Sequence, residues 1–185
     1  LRAQYQKLRD HADQFFATVQ AAFPEEMQCA RGCAGCCILE TVSPLEAWLI
    51  ETHLASQSGG EAGRALNPAA VENDQACPFL DQEECRIYSV RPIICRTHGL
   101  AMYYPEDATL ESCPLNFQTI DITSLDPKYL LNASQLTENL MRLNLAFGLI
   151  TGQPEKSGER IRLTDILQRQ NPAEISASPD SSDKK

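Results

Sequence analysis

Four of the chain's eight cysteines fall within nine residues, as Cys29-Ala-Arg-Gly-Cys33-Ala-Gly-Cys36-Cys37, a C-x3-C-x2-C-C run. No other feature constrains the fold so strongly. Ionised thiols that close together repel one another unless a cation neutralises them. A bound metal does so, because thiolates are its natural ligands and its charge lowers their pKa. Gly32 and Gly35 each precede a cysteine, and glycine lets the backbone turn sharply enough for several sulfurs to converge. Disulfides are the weaker reading. Adjacent Cys36 and Cys37 cannot easily bond to each other, so each would need a distant partner.

The other four cysteines are more loosely spaced: Cys77-Pro78-Phe79-Leu80, then Cys85 and Cys95, then Cys113-Pro114. They do not make the paired C-x2-C knuckles of a zinc ribbon. Together with the first group they suffice for two tetrahedral sites, or for one four-thiolate cluster with four sulfurs to spare. Arg86, Arg91 and Arg96 lie around Cys85 and Cys95. A four-thiolate centre is anionic, and guanidinium groups beside it would offset that charge and bind the cofactor's surroundings. Ordinary carboxylate pairing is the competing role for these arginines.

Composition bounds the rest. At 185 residues a core can form without covalent staples, so the cysteines are not needed as such. With 16 Lys+Arg against 25 Asp+Glu the net charge is −9, the wrong sign for a protein that displaces counterions from nucleic acid. No apolar run reaches the ~18–20 residues of a membrane span. Residues 1–23 are charged and amphipathic with no apolar signal core, so a cytoplasmic location, where thiols stay reduced, is expected.

Leu1, Tyr5, Leu8, Ala12, Phe15, Val19 and Ala22 recur at helical spacing and predict a helix over 1–23, ended by Pro24. Ser43-Pro44 with Glu46 reads as a capping box opening a second helix to about residue 55. Residues 57–63 read as a surface loop and 65–75 as weakly structured. Cys85 to Tyr88 suits a strand or tight turn, Ser89 is expected to cap a helix to about Thr97, and 103–119 reads as irregular. A helix is expected over 133–150, with Leu136, Leu140, Leu143, Phe147 and Ile150 on one face, ended at Gly152. Residues 161–168 suggest a short helical turn, and 171–185 a disordered tail. The expected fold is mostly α: one small domain, 1–170, of helices flanking an irregular cysteine-rich metal-binding core at 29–113.

Cys29, Cys33 and Cys36 also match the C-x3-C-x2-C spacing of radical S-adenosylmethionine enzymes. The chain lacks the alternating strand–helix pattern of their barrel, so that match is set aside. The whole series is more specific: C-x3-C-x2-C-C, then C-P-F-L, then C-x-I-Y-x-x-R-P-x-x-C-R, then a final cysteine. It resembles the bacterial YkgJ-type family, whose members are described as zinc- or iron-chelating domains. A related cysteine-rich region in flagellin lysine methylases is associated with an iron–sulfur cluster. The resemblance spans 29–113 and implies metal binding through Cys29, Cys33, Cys36, Cys37, Cys77, Cys85, Cys95 and Cys113. It does not imply methylase activity, because no second region suited to a methyl donor is visible.

Compact cysteine triplets suit a cluster whose irons lie apart, which favours an iron–sulfur cluster, preferably four-iron four-sulfur. Zinc is the alternative, since eight sulfurs divide into two four-sulfur sites. Cys36 and Cys37 are expected to serve different metal atoms, or only one of them to ligate. Electron transfer, or service as a cofactor in a larger enzyme system, follows from the first reading. A structural zinc module meeting a protein partner through its outer helices follows from the second. Catalysis at the metal itself would need a ligand-free position. His11 and His53 read as ordinary helix residues, His98 as a weak candidate ligand or donor, and Tyr88 as a core aromatic.

Overall fold

The apolar stripe at the N-terminus forms helix α1 (Arg2–Ala22), which buries Tyr5, Leu8, Ala12 and Val19 and leaves Ala22 exposed. The computed structural model describes residues 1–30, 32–38, 40–57 and 76–170. The loop expected beyond Gln57, the weak structure expected at 65–75 and the tail at 171–185 lie outside the described residues.

Strand β1 (Thr41–Val42) leads into α2 (Pro44–Ser56), and the expected capping box is complete. Ser43 Oγ accepts from the Glu46 amide, while Glu46 Oε2 accepts from the Ser43 amide at 3.3 Å. Glu46 does more than close the box. Its Oε1 accepts from Tyr5 Oη at 3.2 Å and from the Ile93 amide at 2.9 Å, so one buried carboxylate ties α1 and α2 to the next helix.

Strands β2 (Leu80–Asp81) and β3 (Glu84–Cys85) form a hairpin with Leu80 opposite Cys85. Both turn residues, Gln82 and Glu83, have positive φ (47° and 63°), the twist that matches a two-residue hairpin. The helix expected to start at Ser89 starts later. Tyr88–Val90 is a 3-10 turn, Arg91 is extended (φ −53°, ψ 144°), and α3 covers only Ile93–Thr97. A residue before proline is pushed out of the helical region, so Pro92 delays the helix.

The stretch expected to be irregular contains a small sheet instead. Strand β4 (Met102–Tyr104) pairs antiparallel with β5 (Thr109–Glu111) and parallel with β6 (Leu131–Asn132). These strands are too short for an alternating pattern to show in the sequence. Asn132 then caps α4 (Ala133–Thr151), which ends at Gly152 in the left-handed conformation, φ 74°. The chain folds back so tightly that a Cβ on Gly148 would lie 2.9 Å from Pro154 Cα. Leu136, Leu140, Leu143 and Phe147 pack inward as expected. Ile150 does not; it stays outside with Met141, Leu145 and Leu149. The last segment is strand β7 (Ile161–Arg162), paired with β1, followed by α5 (Leu163–Gln170).

Two apolar clusters result. The first joins α1, the start of α2 and the inner face of α4 around Tyr5, Val19, Leu45, Ile93, Leu100 and Phe117. The second lies between α2 and α5 around Val42, Ile50, Phe79, Ile87, Ile166 and Leu167. The domain is mostly helical, as expected, and Cys37, Cys77 and Cys85 join the second cluster.

Candidate metal centre

All eight cysteines are free thiols; Cys77 is buried and the other seven half-buried. The first loop is shaped by short turns. The Cys33 amide donates to Ala30 O at 3.0 Å, and the Cys37 amide to Ala34 O at 2.9 Å. Gly32 takes φ 89°, a conformation open to glycine at low cost; Gly35 has no positive φ.

Cys29 is held by a residue that the sequence pattern did not flag. Asn116 Nδ2 donates to Cys29 Sγ at 3.3 Å and to Gly99 O at 2.7 Å, and its Oδ1 accepts from the Gln28 amide at 2.9 Å. The Asn116 amide also donates to Cys113 O at 2.9 Å. One asparagine, 3% exposed, therefore holds the Cys29 and Cys113 segments together. Gly99 (φ 103°) makes room, since a Cβ there would lie 2.6 Å from Cys29 Sγ. A lone asparagine three residues after a cysteine and a lone glycine carry no recognisable spacing, so neither was legible.

A separate set of contacts gathers other sulfurs. The Cys77 amide donates to Cys37 O at 2.7 Å, and the Leu80 amide to Cys77 O at 3.0 Å. Leu80 in turn lies opposite Cys85 in the hairpin. Cys37, Cys77 and Cys85 all pack into the second apolar cluster, and Cys95 lies on α3.

Electrostatics link the two groups at Cys36 and Cys37. Burial raises the Cys29 thiol; the Asn116 hydrogen bond opposes this, and Cys113, Cys33 and Cys36 add to the rise. Cys37 responds instead to Cys77, Cys85 and Cys95, although its largest influence is the hydrogen bond from Cys36, which lowers it. That bond leaves Cys36 raised. Burial pushes Cys77 up to about 11 and Cys95 up to about 12, and Cys85 also rises.

The three arginines separate. Arg91 lowers Cys36, Cys85 and Cys95, and Arg96 lowers Cys85. Arg91 stacks on the Tyr88 ring at 3.9 Å, and its buried Nε has no hydrogen-bond partner among the described residues. Arg96 donates to Asp13 Oδ2 at 2.6 Å and to the Arg91 and Ser89 carbonyls at 3.0 Å each. Arg86 pairs with Asp81 in the hairpin. Tyr88 is not the expected core aromatic: it is 62% exposed, and its neighbour Ile87 fills the core. His98 is exposed at the end of α3. His11 is exposed beside Phe15, and His53 pairs with Gln57.

Among the described residues, no three His, Cys, Asp or Glu side chains converge into a ready-made ion site. The fit lies in donor chemistry. Free thiols are grouped by the fold, an N–H already donates to one sulfur, and a buried Arg91 N–H beside three more lacks an acceptor. Binding here requires thiols to deprotonate and close on the metal, which couples it to pH and folding.

Residues 28–114 match the CxxCxxCC family, described as "Putative zinc- or iron-chelating domain". That match is in keeping with the YkgJ-type resemblance of the cysteine series. No curated protein and no solved structure matches the chain.

Proposed function

We propose that this chain is a thiolate metal-binding protein whose cysteines hold an iron–sulfur cluster, preferably four-iron four-sulfur. It would serve electron transfer or act as a cofactor carrier within a larger enzyme system. The observation that carries this reading is the buried Arg91 Nε, which lacks an acceptor among the described residues, in a chain whose eight cysteines are all free thiols. A cationic N–H offsets the charge of an anionic cluster, and hydrogen bonds such as Asn116 to Cys29 tune its potential. When bound, such a cluster supplies one-electron transfer. The chain's own residues hold sulfur, limit water and balance charge. The reading implies a reducing compartment such as the cytoplasm.

A second reading, structural zinc, draws support from the division of the sulfurs into groups, since four thiolates suit one tetrahedral ion. Protein purified without oxygen should be brown, with sulfur-to-iron charge-transfer absorption and matching iron and sulfide. Colourless protein with stoichiometric zinc and no iron, even after anaerobic preparation, would sink the first reading in favour of the second.

A further inference from the structure

We propose that the eight cysteines form two separate four-sulfur metal sites that divide at the Cys36–Cys37 peptide bond. Cys29, Cys33, Cys36 and Cys113 make one site, and Cys37, Cys77, Cys85 and Cys95 make the other. This rests on the metal-binding reading above and deepens it by assigning every sulfur.

The backbone carries the division. Asn116 fastens Cys29 to the Cys113 segment through its side chain and its amide. Cys33 and Cys36 lie on the turns that leave Cys29, on the same side of the split. Beyond it, Cys37 O accepts from the Cys77 amide, and the hairpin sets Cys85 opposite Leu80, whose amide donates to Cys77 O. Cys37, Cys77 and Cys85 then share one apolar cluster, which among the described residues includes none of the other five cysteines. Cys95, on α3 just beyond the hairpin and the 3-10 turn, completes the second set as its fourth sulfur. Each set offers the same chemistry, four thiolates for one tetrahedral divalent ion or one four-iron cluster.

The test is a cobalt(II) titration of the full chain, stripped of metal and kept anaerobic, read by thiolate-to-cobalt charge-transfer absorption. The wild type should saturate at two ions per chain. Two double variants separate the alternatives, because each loses the same number of sulfurs. Cys36→Ser with Cys113→Ser falls within one set and should retain one ion. Cys36→Ser with Cys37→Ser straddles the sets and should retain none. A same-set pair on the other side, Cys37→Ser with Cys85→Ser, should also retain one ion, and it serves if the first pair fails to fold by circular dichroism. Parallel loading with zinc, or with iron and sulfide, identifies the resident group, and the arm that loads must repeat the two, one, none pattern. Saturation of the wild type at one ion, or complete loss in a folded same-set pair, overturns the division while leaving metal binding intact. Failure of the wild type to take cobalt, zinc or iron with sulfide overturns the metal reading itself.

Discussion

The two groups of cysteines are held by different physics. Cys37, Cys77 and Cys85 pack against apolar side chains of α2, α5 and the hairpin, so the second group is part of a core. Cys29 and Cys113 depend instead on a polar net centred on Asn116, with Glu26 and Gln28 bonded into the same segment. The contrast separates two kinds of support. Apolar packing is non-directional and holds sulfurs in place with or without metal, whereas a hydrogen-bonded net holds them only while its few members stay paired.

The largest test of that contrast is Phe79→Ala. Phe79 is fully buried in the second cluster, between Cys77 and the hairpin turn. Its loss should cost about 3–5 kcal/mol, the usual range for a large core aromatic. Urea denaturation should show this drop. Iodoacetamide labelling read by mass spectrometry should show Cys77 and Cys85 gaining reactivity well before Cys29 and Cys113. Equal gains at all four would mean that the groups share one support.

Next in size is Arg96→Met. Arg96 is 4% exposed and links Asp13 on α1 to the carbonyls of Ser89 and Arg91. Losing a charge-assisted bond and two carbonyl contacts should cost about 1.5–3 kcal/mol. Because the 3-10 turn and α3 position Cys85 and Cys95, the second set should lose metal affinity and the first should not. Unchanged stability and metal content in the purified variant would remove Arg96 from the support of either set.

How far these supports could be read in the sequence follows from their range. The α1 stripe, the Ser43–Glu46 box and the Gly152 stop are local patterns whose geometry repeats within a few residues, so they were legible. The cysteine series was legible as chemistry. Its sorting was not, because that depends on a carbonyl of Cys37 meeting an amide 40 residues on, outside any local period. The wider role of Glu46 was hidden for the same reason: Tyr5 and Ile93 lie 41 and 47 residues from it. Helix α3 starts later than the cap-like Ser89 suggests, because Pro92 excludes Arg91 from the helix. The outward face of Tyr88 carries no sequence signal, because an aromatic beside a buried isoleucine can equally well stack on an arginine outside the core.

On the polar side, Asn116→Ala should cost about 1–2 kcal/mol, since Gly99 O, Gln28 N and Cys29 Sγ all lose a partner. The sharper readout is selective. Cys29 and Cys113 should label faster while Cys77 keeps its protection, the reverse of Phe79→Ala. If Cys77 became reactive first, the polar net would be supporting the whole domain rather than one set.

The smallest effect is a pH dependence confined to the first group. Glu26 accepts from the Thr119 amide at 3.1 Å and from its hydroxyl, and its own carbonyl accepts from the Phe117 amide at 3.0 Å. These bonds brace the loop that carries Asn116, and the Thr119 hydrogen bonds hold the Glu26 carboxyl below its ordinary value of 4.5. A carboxyl depressed in the folded state stabilises it fully above that ordinary value, and the contribution is lost as pH falls through the lower folded value. Glu26→Gln removes the charge at every pH. The wild type should therefore exceed the variant in stability near neutrality, and the gap should close as pH falls below 4.5 through the depressed value. Urea midpoints measured across that window, with labelling of Cys29 against Cys77 at each pH, check both parts. A gap that stays constant into acid would show that Glu26 acts through shape alone. A gap that closes with Cys77 as the responding thiol would show that the brace reaches across the boundary between the two sets.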